Sequence, residues 1–388
     1  MLKKRVLFAI GSRANYASIK SAMIAVKENP RLQLQAICFA SAVLDRFGKV
    51  SDLMKVDGLE PNFEIQTLIE GDSLEIMAES TGLALLRLPR LLAELKPDVV
   101  ITVGDRFETI ATAIAATYLN IPLAHTMGGE TTGSIDESVR HAITKFAHLH
   151  FPATELSMRR IIQMGESPDS IYLTGCPRID IARKSQELGI QGLEELCINS
   201  GVGDQIDFRK PFLLVSQHPV TTEIELAQSQ MIETLKAVDD LKIPTVVLWP
   251  NADAGAALMS QQIRKWRESR IVTKLHLFKN IPVENYLQIM NLTSCQIGNS
   301  SSGLREGAFL GTPVVNIGSR QIGREHGLNV INVNSDAVEI KRAVETQLTH
   351  GKYPQSLLYG DGFAGRRIAD ILASDLTIKI QKSMTLRS

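Results

Sequence analysis

Cys295-Gln296-Ile297-Gly298-Asn299-Ser300-Ser301-Ser302-Gly303-Leu304-Arg305-Glu306 reads as a short apolar strand that ends on glycine and opens a helix. Backbone N–H groups at a helix start, three hydroxyls and permissive glycines suit an oxyanion such as a phosphate. Glu306, one turn inside, is placed to accept hydrogen bonds from a pair of vicinal ribose hydroxyls. A plainer reading makes Ser302 an N-cap and Glu306 its partner near the capping-box position. Under either reading the segment is strand, turn, helix, the repeating unit of an α/β protein.

The same alternation runs along the whole chain. Apolar runs at 5–10, 34–39, 98–103, 122–125 and 149–152 predict strands, with helices between them near 17–28 and 73–95. The longest of these helices presents Leu83, Leu86, Leu88, Leu91, Leu92 and Leu95 as its apolar face, and Lys96-Pro97 stops it. A polar, glycine-containing stretch at 187–210 reads as a linker with one short helix. Beyond it, strands at 212–216, 245–249, 271–277, 295–298 and 314–317 alternate with helices near 222–240, 252–269 and 283–291. A last helix is expected over 365–382. Continuous apolar strands imply parallel sheets covered on both faces, so the expected architecture is two doubly wound domains, 1–186 and 187–364, followed by a helical segment at 365–388 that could pack on either. Ligands of such sheets lie beyond the carboxyl ends of the strands, here in an interdomain cleft.

Composition narrows the function classes. The 388 residues carry 42 Lys+Arg against 42 Asp+Glu, and mean hydropathy is +0.02, so no overall field gathers nucleic acid or anionic membrane. Aromatics at 5% argue against base-stacking surfaces. No run approaches the roughly 20 apolar residues of a spanning helix, nor is there a signal-peptide pattern. Cys38, Cys176, Cys197 and Cys295 have neither zinc-site nor disulfide-framework spacing, which points to a reducing cytoplasm. His148 and His150 could share a strand face, but no further ligand stands at suitable spacing, so no metal is expected. Gly360-Asp361-Gly362-Phe363-Ala364-Gly365 matches G-x-G-x-x-G formally, yet follows no clear first strand and reads as a loop into the last helix.

Other candidate residues also fall at strand ends. Gly104-Asp105-Arg106-Phe107-Glu108 places Asp105 as a general base or acid and Arg106 as its ion partner or an anion ligand; alternatively Asp105 is an N-cap. His125-Thr126-Met127-Gly128-Gly129-Glu130 has glycines that let backbone approach a ligand. Asp136 and Arg140 share a helix face and can pair. Asp105, Glu130, Asp136 and Glu137 would crowd one sheet edge, and such crowding raises the pKa of one carboxylate, which acid–base chemistry needs. In the second half, His218 and Asn251 end consecutive strands. His218 suits a proton donor or phosphate ligand, or equally a loop histidine. Arg13, Arg320 and Arg324 complete a basic lining suited to a pyrophosphate.

Taken in order, Gly104-Asp105-Arg106-Phe107-Glu108, His125-x-x-Gly128-Gly129-Glu130, Ile135-Asp136-Glu137-Ser138-x-Arg140-His141, Gly298-Asn299-Ser300-Ser301-x-Gly303-x-Arg305-Glu306 and Gly311-Thr312-Pro313-Val314-x-Asn316 closely resemble the hydrolysing UDP-N-acetylglucosamine 2-epimerases, including the bacterial sialic-acid-pathway enzymes. The resemblance covers nearly the whole chain. It implies two Rossmann-like domains of the glycosyltransferase-B type, with the helix at 365–388 packing back on the first domain, no cofactor and no metal. It implies catalytic roles for Asp105, Asp136, Arg140 and His218. UDP contacts are implied for Arg13, Arg106, His218, Asn251, Ser300, Ser301, Glu306 and Arg320. Many relatives carry a glutamate where this chain has Met127, which makes Glu130 the substitute catalytic carboxylate. Where some carry Arg-Ala-Asp-Tyr-Ser, this chain has Arg13-Ala14-Asn15-Tyr16-Ala17, one hydroxyl contact fewer.

The activity so implied is conversion of UDP-N-acetylglucosamine to N-acetylmannosamine and UDP, feeding nonulosonic acid synthesis. UDP-N,N'-diacetylbacillosamine is the alternative substrate, and a glycosyltransferase or a non-catalytic UDP-sugar sensor of the same fold are the competing classes. The expected partner is a small UDP-sugar, with neither nucleic acid nor membrane, and the expected assembly is a homo-oligomer, dimer or tetramer.

Overall fold

The computed structural model describes residues 3–71, 73–104, 106–251, 253–269, 274–279 and 281–385. The chain divides into two compact units. The first comprises Met1–Glu130, Ile135–Asp180 and Tyr359–Ser388, the second Thr131–Ser134 and Ile181–Leu358.

The first unit contains β1 (Lys4–Ile10), α1 (Arg13–Glu28), β2 (Leu32–Cys38), α2 (Val50–Val56), β3 (Phe63–Glu64), α3 (Leu74–Leu95), β4 (Val99–Val103), α4 (Thr109–Tyr118), β5 (Leu123–Thr126), α5 (Asp136–Phe146), β6 (Leu149–Phe151) and α6 (Glu155–Gln163). Its six strands lie in the order β3-β2-β1-β4-β5-β6, all parallel. Val-Val-Ile-Thr-Val makes β4, with every residue buried. β-branched side chains on both faces suit a sheet covered on both sides. Leu7, Ile37, Val100, Ala111, Leu123 and Ile143 meet in the core. The chain builds outward from β1 to β3, then restarts at β4 beside β1, so the strand order reverses between β1 and β4.

The chain passes between units within α7 (Pro177–Ser185). The second unit holds α8 (Gln191–Asn199), β7 (Val202–Gly203), β8 (Leu213–Ser216), α9 (Ala227–Leu241), β9 (Thr245–Leu248), α10 (Ala256–Glu268), β10 (Leu275–Phe278), α11 (Val283–Leu292), β11 (Cys295–Gly298), α12 (Ser301–Leu304), α13 (Glu306–Leu310), β12 (Val314–Ile317), β13 (Val330–Val333) and α14 (Ala337–His350). The sheet order is β13-β12-β11-β8-β9-β10-β7, with β7 antiparallel to β10. Here the order reverses between β8 and β11. Leu213, Val215, Val247, Ile297 and Val315 pack with Met231 of α9 and Val344 of α14. Two parallel α/β units therefore stand as the sequence predicts.

Four details differ. The stretch at 187–210 carries a short helix, but β7 within it adds a strand to the edge of the second sheet. On α3 the buried stripe is Ser80, Ala84, Leu88 and Leu92, spaced four apart, whereas Leu86 lies two positions off that stripe and is exposed. The strand expected at 271–277 begins at Leu275, and residues 271–273 of that expectation lie outside the described residues. The last helix, α15, spans only Ala364–Ala373. Ser374 closes it by bonding through its N–H and its hydroxyl to the carbonyls of the final turn, and an irregular strap follows to residue 385.

The glycine-rich loop at 360–365 is a docking turn. Asp180 accepts from the N–H groups of Ala364 (2.9 Å) and Gly365 (2.7 Å) and so caps α15. A Cβ on Gly365 would stand 2.6 Å from the Ser21 backbone carbon, so only glycine lets α15 approach α1.

Candidate active site

In open α/β sheets the carboxyl ends of the strands flanking a reversal of strand order form a ligand crevice. In the first unit these ends belong to β1 and β4. Ser12 caps α1 and Arg13 is its first residue. Asn15 accepts from the Gly11 N–H (3.2 Å) and donates to the Val103 carbonyl (3.4 Å), tying the two strand ends together. Glu108 lies beneath Gly11, where any Cβ would collide with it at 2.5 Å. Arg106 donates from Nε to Glu108 Oε1 at 2.9 Å, and both side chains are buried. Asp105 lies outside the described residues.

The neighbouring strand end carries the rest. His125, fully buried, bonds through Nε2 to the Gly104 carbonyl (2.9 Å) and through Nδ1 to the Thr144 hydroxyl (3.3 Å). The carbonyl can only accept, so Nε2 carries the proton. Thr144 belongs to α5, whose first turn holds Asp136 and Glu137. One turn on, Arg140 is completely buried and donates to the Glu130 carbonyl at 2.7 Å. The structure thus joins the Gly104 end of β4, His125, α5 and Glu130 in one network. Gly128 and Gly129 serve the packing of this network. A Cβ on Gly128 would meet His125 Nδ1 at 2.9 Å, and one on Gly129 would meet the Ser157 carbonyl oxygen at 2.2 Å. Between Glu130 and Ile135 the chain joins the second unit for four residues, where Gly133 N–H donates to the Arg320 carbonyl (3.2 Å).

In the second unit the reversal lies between β8 and β11, and Asn299 is its hub. Its Oδ1 accepts from the His218 N–H (2.7 Å), and its Nδ2 donates to the His218 carbonyl (2.8 Å). Its own carbonyl accepts from Gln321 (2.7 Å) and Arg320 (3.3 Å). His218 Nδ1 accepts from the Asn251 N–H at 3.2 Å, which leaves the proton of the neutral ring on Nε2. Gly298 pairs with Ser216 in register, and its φ of +130° brings a Cβ position to 2.3 Å from the Ser216 carbonyl oxygen, so only glycine fits. Ser300 caps α12 by accepting from the Ser302 N–H. Ser302 Oγ lies 2.8 Å from Ser300 Oγ and 2.5 Å from the Tyr286 hydroxyl. Ser301 Oγ accepts from Arg305 at 2.9 Å. Glu306 is fully buried, with Oε2 3.9 Å from Arg305 Nε.

In the first unit Arg13, Arg106 and Glu130 follow the ends of β1, β4 and β5, with Asp136 and Arg140 on α5; in the second, His218, Asn251, Ser300, Ser301, Glu306 and Arg320 follow the ends of β8, β9, β11 and β12. Asn299, Gln321, Tyr286, His125 and Asn15 carry structural roles there that the sequence did not assign. Asn299 and His125 stood inside the quoted motifs, and their position at strand ends was the available signal.

A profile of the UDP-N-acetylglucosamine 2-epimerase family matches residues 24–373. The chain belongs to this family. It is 32% identical, over 95% of each chain, to the UDP-N,N'-diacetylbacillosamine 2-epimerase (hydrolyzing) of Legionella pneumophila. It is 27% identical to the UDP-N-acetylglucosamine 2-epimerase of Neisseria meningitidis, covering 92% of this chain and 91% of that one. The crystal structure of the Neisseria meningitidis UDP-GlcNAc 2-epimerase bound to UDP-GlcNAc superposes with a TM-score of 0.78 at 17% identity, covering 95% of this chain and 99% of that one. That likeness gives the fold of this family member as two Rossmann-like units of the glycosyltransferase-B type, and membership makes it an enzyme of the epimerase family. No helix among the described residues is long and apolar enough to cross a membrane.

Proposed function

We propose that this enzyme is a hydrolysing 2-epimerase that converts UDP-N-acetylglucosamine to N-acetylmannosamine and UDP. The observation that carries the reading is the family match over residues 24–373.

The chemistry assigns each unit a part. The C2 proton of the sugar has no adjacent carbonyl to acidify it, so the C1–O bond must break ahead of proton removal and leave positive charge on the ring. Asp105, Glu130 and Asp136 are proposed to stabilise that charge, and one of them takes the C2 proton. The product is 2-acetamidoglucal with UDP expelled. Water then adds its hydroxyl to C1 while a proton returns to C2 from the opposite face, which gives the manno configuration. Arg140 holds the backbone of Glu130 and so fixes the carboxylate set. In the second unit Nε2–H of His218, the Ser300 and Ser301 hydroxyls and Arg320 are proposed to take the negative charge arriving on the diphosphate. Arg13, Arg106 and Asn251 contact the nucleotide, and Glu306 takes the ribose hydroxyls.

The 32%-identical Legionella relative favours one second reading, the same chemistry on UDP-N,N'-diacetylbacillosamine. Release of UDP, followed by anion-exchange chromatography with each sugar separately, tests both. Release from UDP-N-acetylglucosamine supports the first reading, release from the bacillosamine sugar alone replaces it, and release from neither contradicts the proposal. Asp105→Asn should abolish turnover while UDP still binds. The proposal also places the enzyme in the cytoplasm as a dimer or tetramer. Leu86 and Tyr118, exposed on the adjoining helices α3 and α4, support a further protein contact, and light scattering of the purified chain tests it.

A further inference from the structure

The strap that follows α15 returns to the far end of the helix that carries Asp136 and Arg140. Lys382 Nζ donates to the carbonyls of Lys145 (2.8 Å), Thr144 (3.4 Å) and Ala147. These are carbonyls at the end of α5, where no further turn supplies N–H donors. A cation there also complements the negative end of the helix dipole.

The ammonium is itself held in place. Glu166, whose side chain is 4% exposed, lies 2.7 Å from Lys382 through Oε2. The same carboxylate receives Lys145 at 2.5 Å and His150 Nε2 at 3.2 Å. On either side of Lys382 the strap is pinned by backbone, since the Ile380 carbonyl accepts from His148 Nε2 (3.0 Å) and Thr385 N–H donates to the Gly165 carbonyl (3.0 Å). His148 Nδ1 in turn accepts from the Leu123 N–H of β5 at 3.1 Å. α5 is thus fixed at three levels: Arg140 on Glu130 near its start, Thr144 against His125 in its last turn, and Lys382 on its final carbonyls.

We propose that Lys382 is a positioning residue for the reaction, holding α5 so that Asp136 and Arg140 keep their places at the strand ends. This rests on the catalytic roles proposed above. Its effect is expected on the chemical step more than on nucleotide binding, because Lys382 grips the end of α5 opposite to Asp136 and lies in the first unit, whereas most of the proposed diphosphate contacts lie in the second.

The test uses the full-length chain with Lys382→Ala, Lys382→Arg and, as a control elsewhere on the strap, Asp375→Ala, which removes an exposed ion pair with Arg31. Lys382→Ala should lower kcat about tenfold with KM within about twofold, since small displacements of catalytic groups are costly. Lys382→Arg should recover most of kcat, and Asp375→Ala should match the wild type. Hydrogen–deuterium exchange supplies a readout free of turnover, with amides of α5 exchanging faster in Lys382→Ala. An unchanged kcat, or α5 exchange equal to the wild type, overturns the proposal. If the wild type turned over neither UDP-sugar, the functional reading would fall, while the exchange data would still decide whether Lys382 holds the helix.

Discussion

Arg140 donates from Nη1 to the backbone carbonyl of Glu130 at 2.7 Å, and its guanidinium is completely shut away from solvent. A sequence spacing of four suggests a pairing of Asp136 with Arg140 along one helix face. The bond to Glu130 runs across to the loop that follows β5, so one side chain ties together two carboxylate-bearing segments.

Arg140→Met should therefore cost both stability and rate. Leaving a buried carbonyl without its charged donor costs about 1–3 kcal/mol. Thermal unfolding should detect that loss, and kcat should fall at least about a hundredfold as Glu130 and Asp136 lose their common anchor. Arg140→Lys should recover little, because an ammonium cannot reproduce the planar fork.

Asn299→Asp probes the second unit. The aspartate can still accept from the His218 N–H but cannot donate to the His218 carbonyl, and it places a carboxylate oxygen against that carbonyl. Calorimetric titration with UDP should show at least about a tenfold weaker Kd, the equivalent of roughly 1.4 kcal/mol. Unchanged UDP affinity would remove Asn299 from the nucleotide site.

Two glycines should respond in opposite directions. Gly365→Ala forces a Cβ to within 2.6 Å of the Ser21 backbone and should destabilise the docking of α15 by about 1–3 kcal/mol. Gly82 is exposed within α3, with no heavy atom within 4 Å of its Cβ position. Gly82→Ala should stabilise the chain by about 0.5–1 kcal/mol through helix propensity. Denaturant titration of the two variants checks both signs.

Burial raises the Glu166 carboxyl, but His150, Lys145 and Lys382 together outweigh it and hold the group at about 2, below its ordinary 4.5. A depressed carboxylate pKa favours the folded state wherever the group is ionised in both states. Its contribution is fully present above the ordinary value and disappears as pH falls from 4.5 towards 2. The wild type should lose stability in that window, and Glu166→Gln, already lacking the ionised form, should lose less. Parallel acid limbs for the two proteins would contradict this.

The strands at 295–298 and 314–317 were legible because short apolar runs ended on glycine beside turn residues, and α3 because Ser73 caps it and Lys96-Pro97 ends it. The first site residues followed from that, since strand ends are where such sheets hold ligands. β13 and α14 escaped, although Asp336 caps α14 by accepting from Val338 and Glu339 N–H groups, because Val330-Ile331-Asn332-Val333, an edge strand, is a short apolar run broken by an asparagine. Gly128 and Gly129 suggested close approach to a ligand, whereas they approach His125 and Ser157. Which atom a glycine makes room for depends on long-range packing. Lys382 was invisible for the same reason, since its partners lie more than two hundred residues away in sequence.

The most direct test of the central claim is a proton NMR time course of the purified enzyme with UDP-N-acetylglucosamine in heavy water, without added metal. The account predicts free UDP together with N-acetylmannosamine carrying deuterium at C2, because that proton leaves during elimination and returns from solvent. Substrate that remains intact would contradict the assigned substrate. Free UDP accompanied by an N-acetylhexosamine that keeps its C2 proton and its gluco configuration would contradict the elimination mechanism itself.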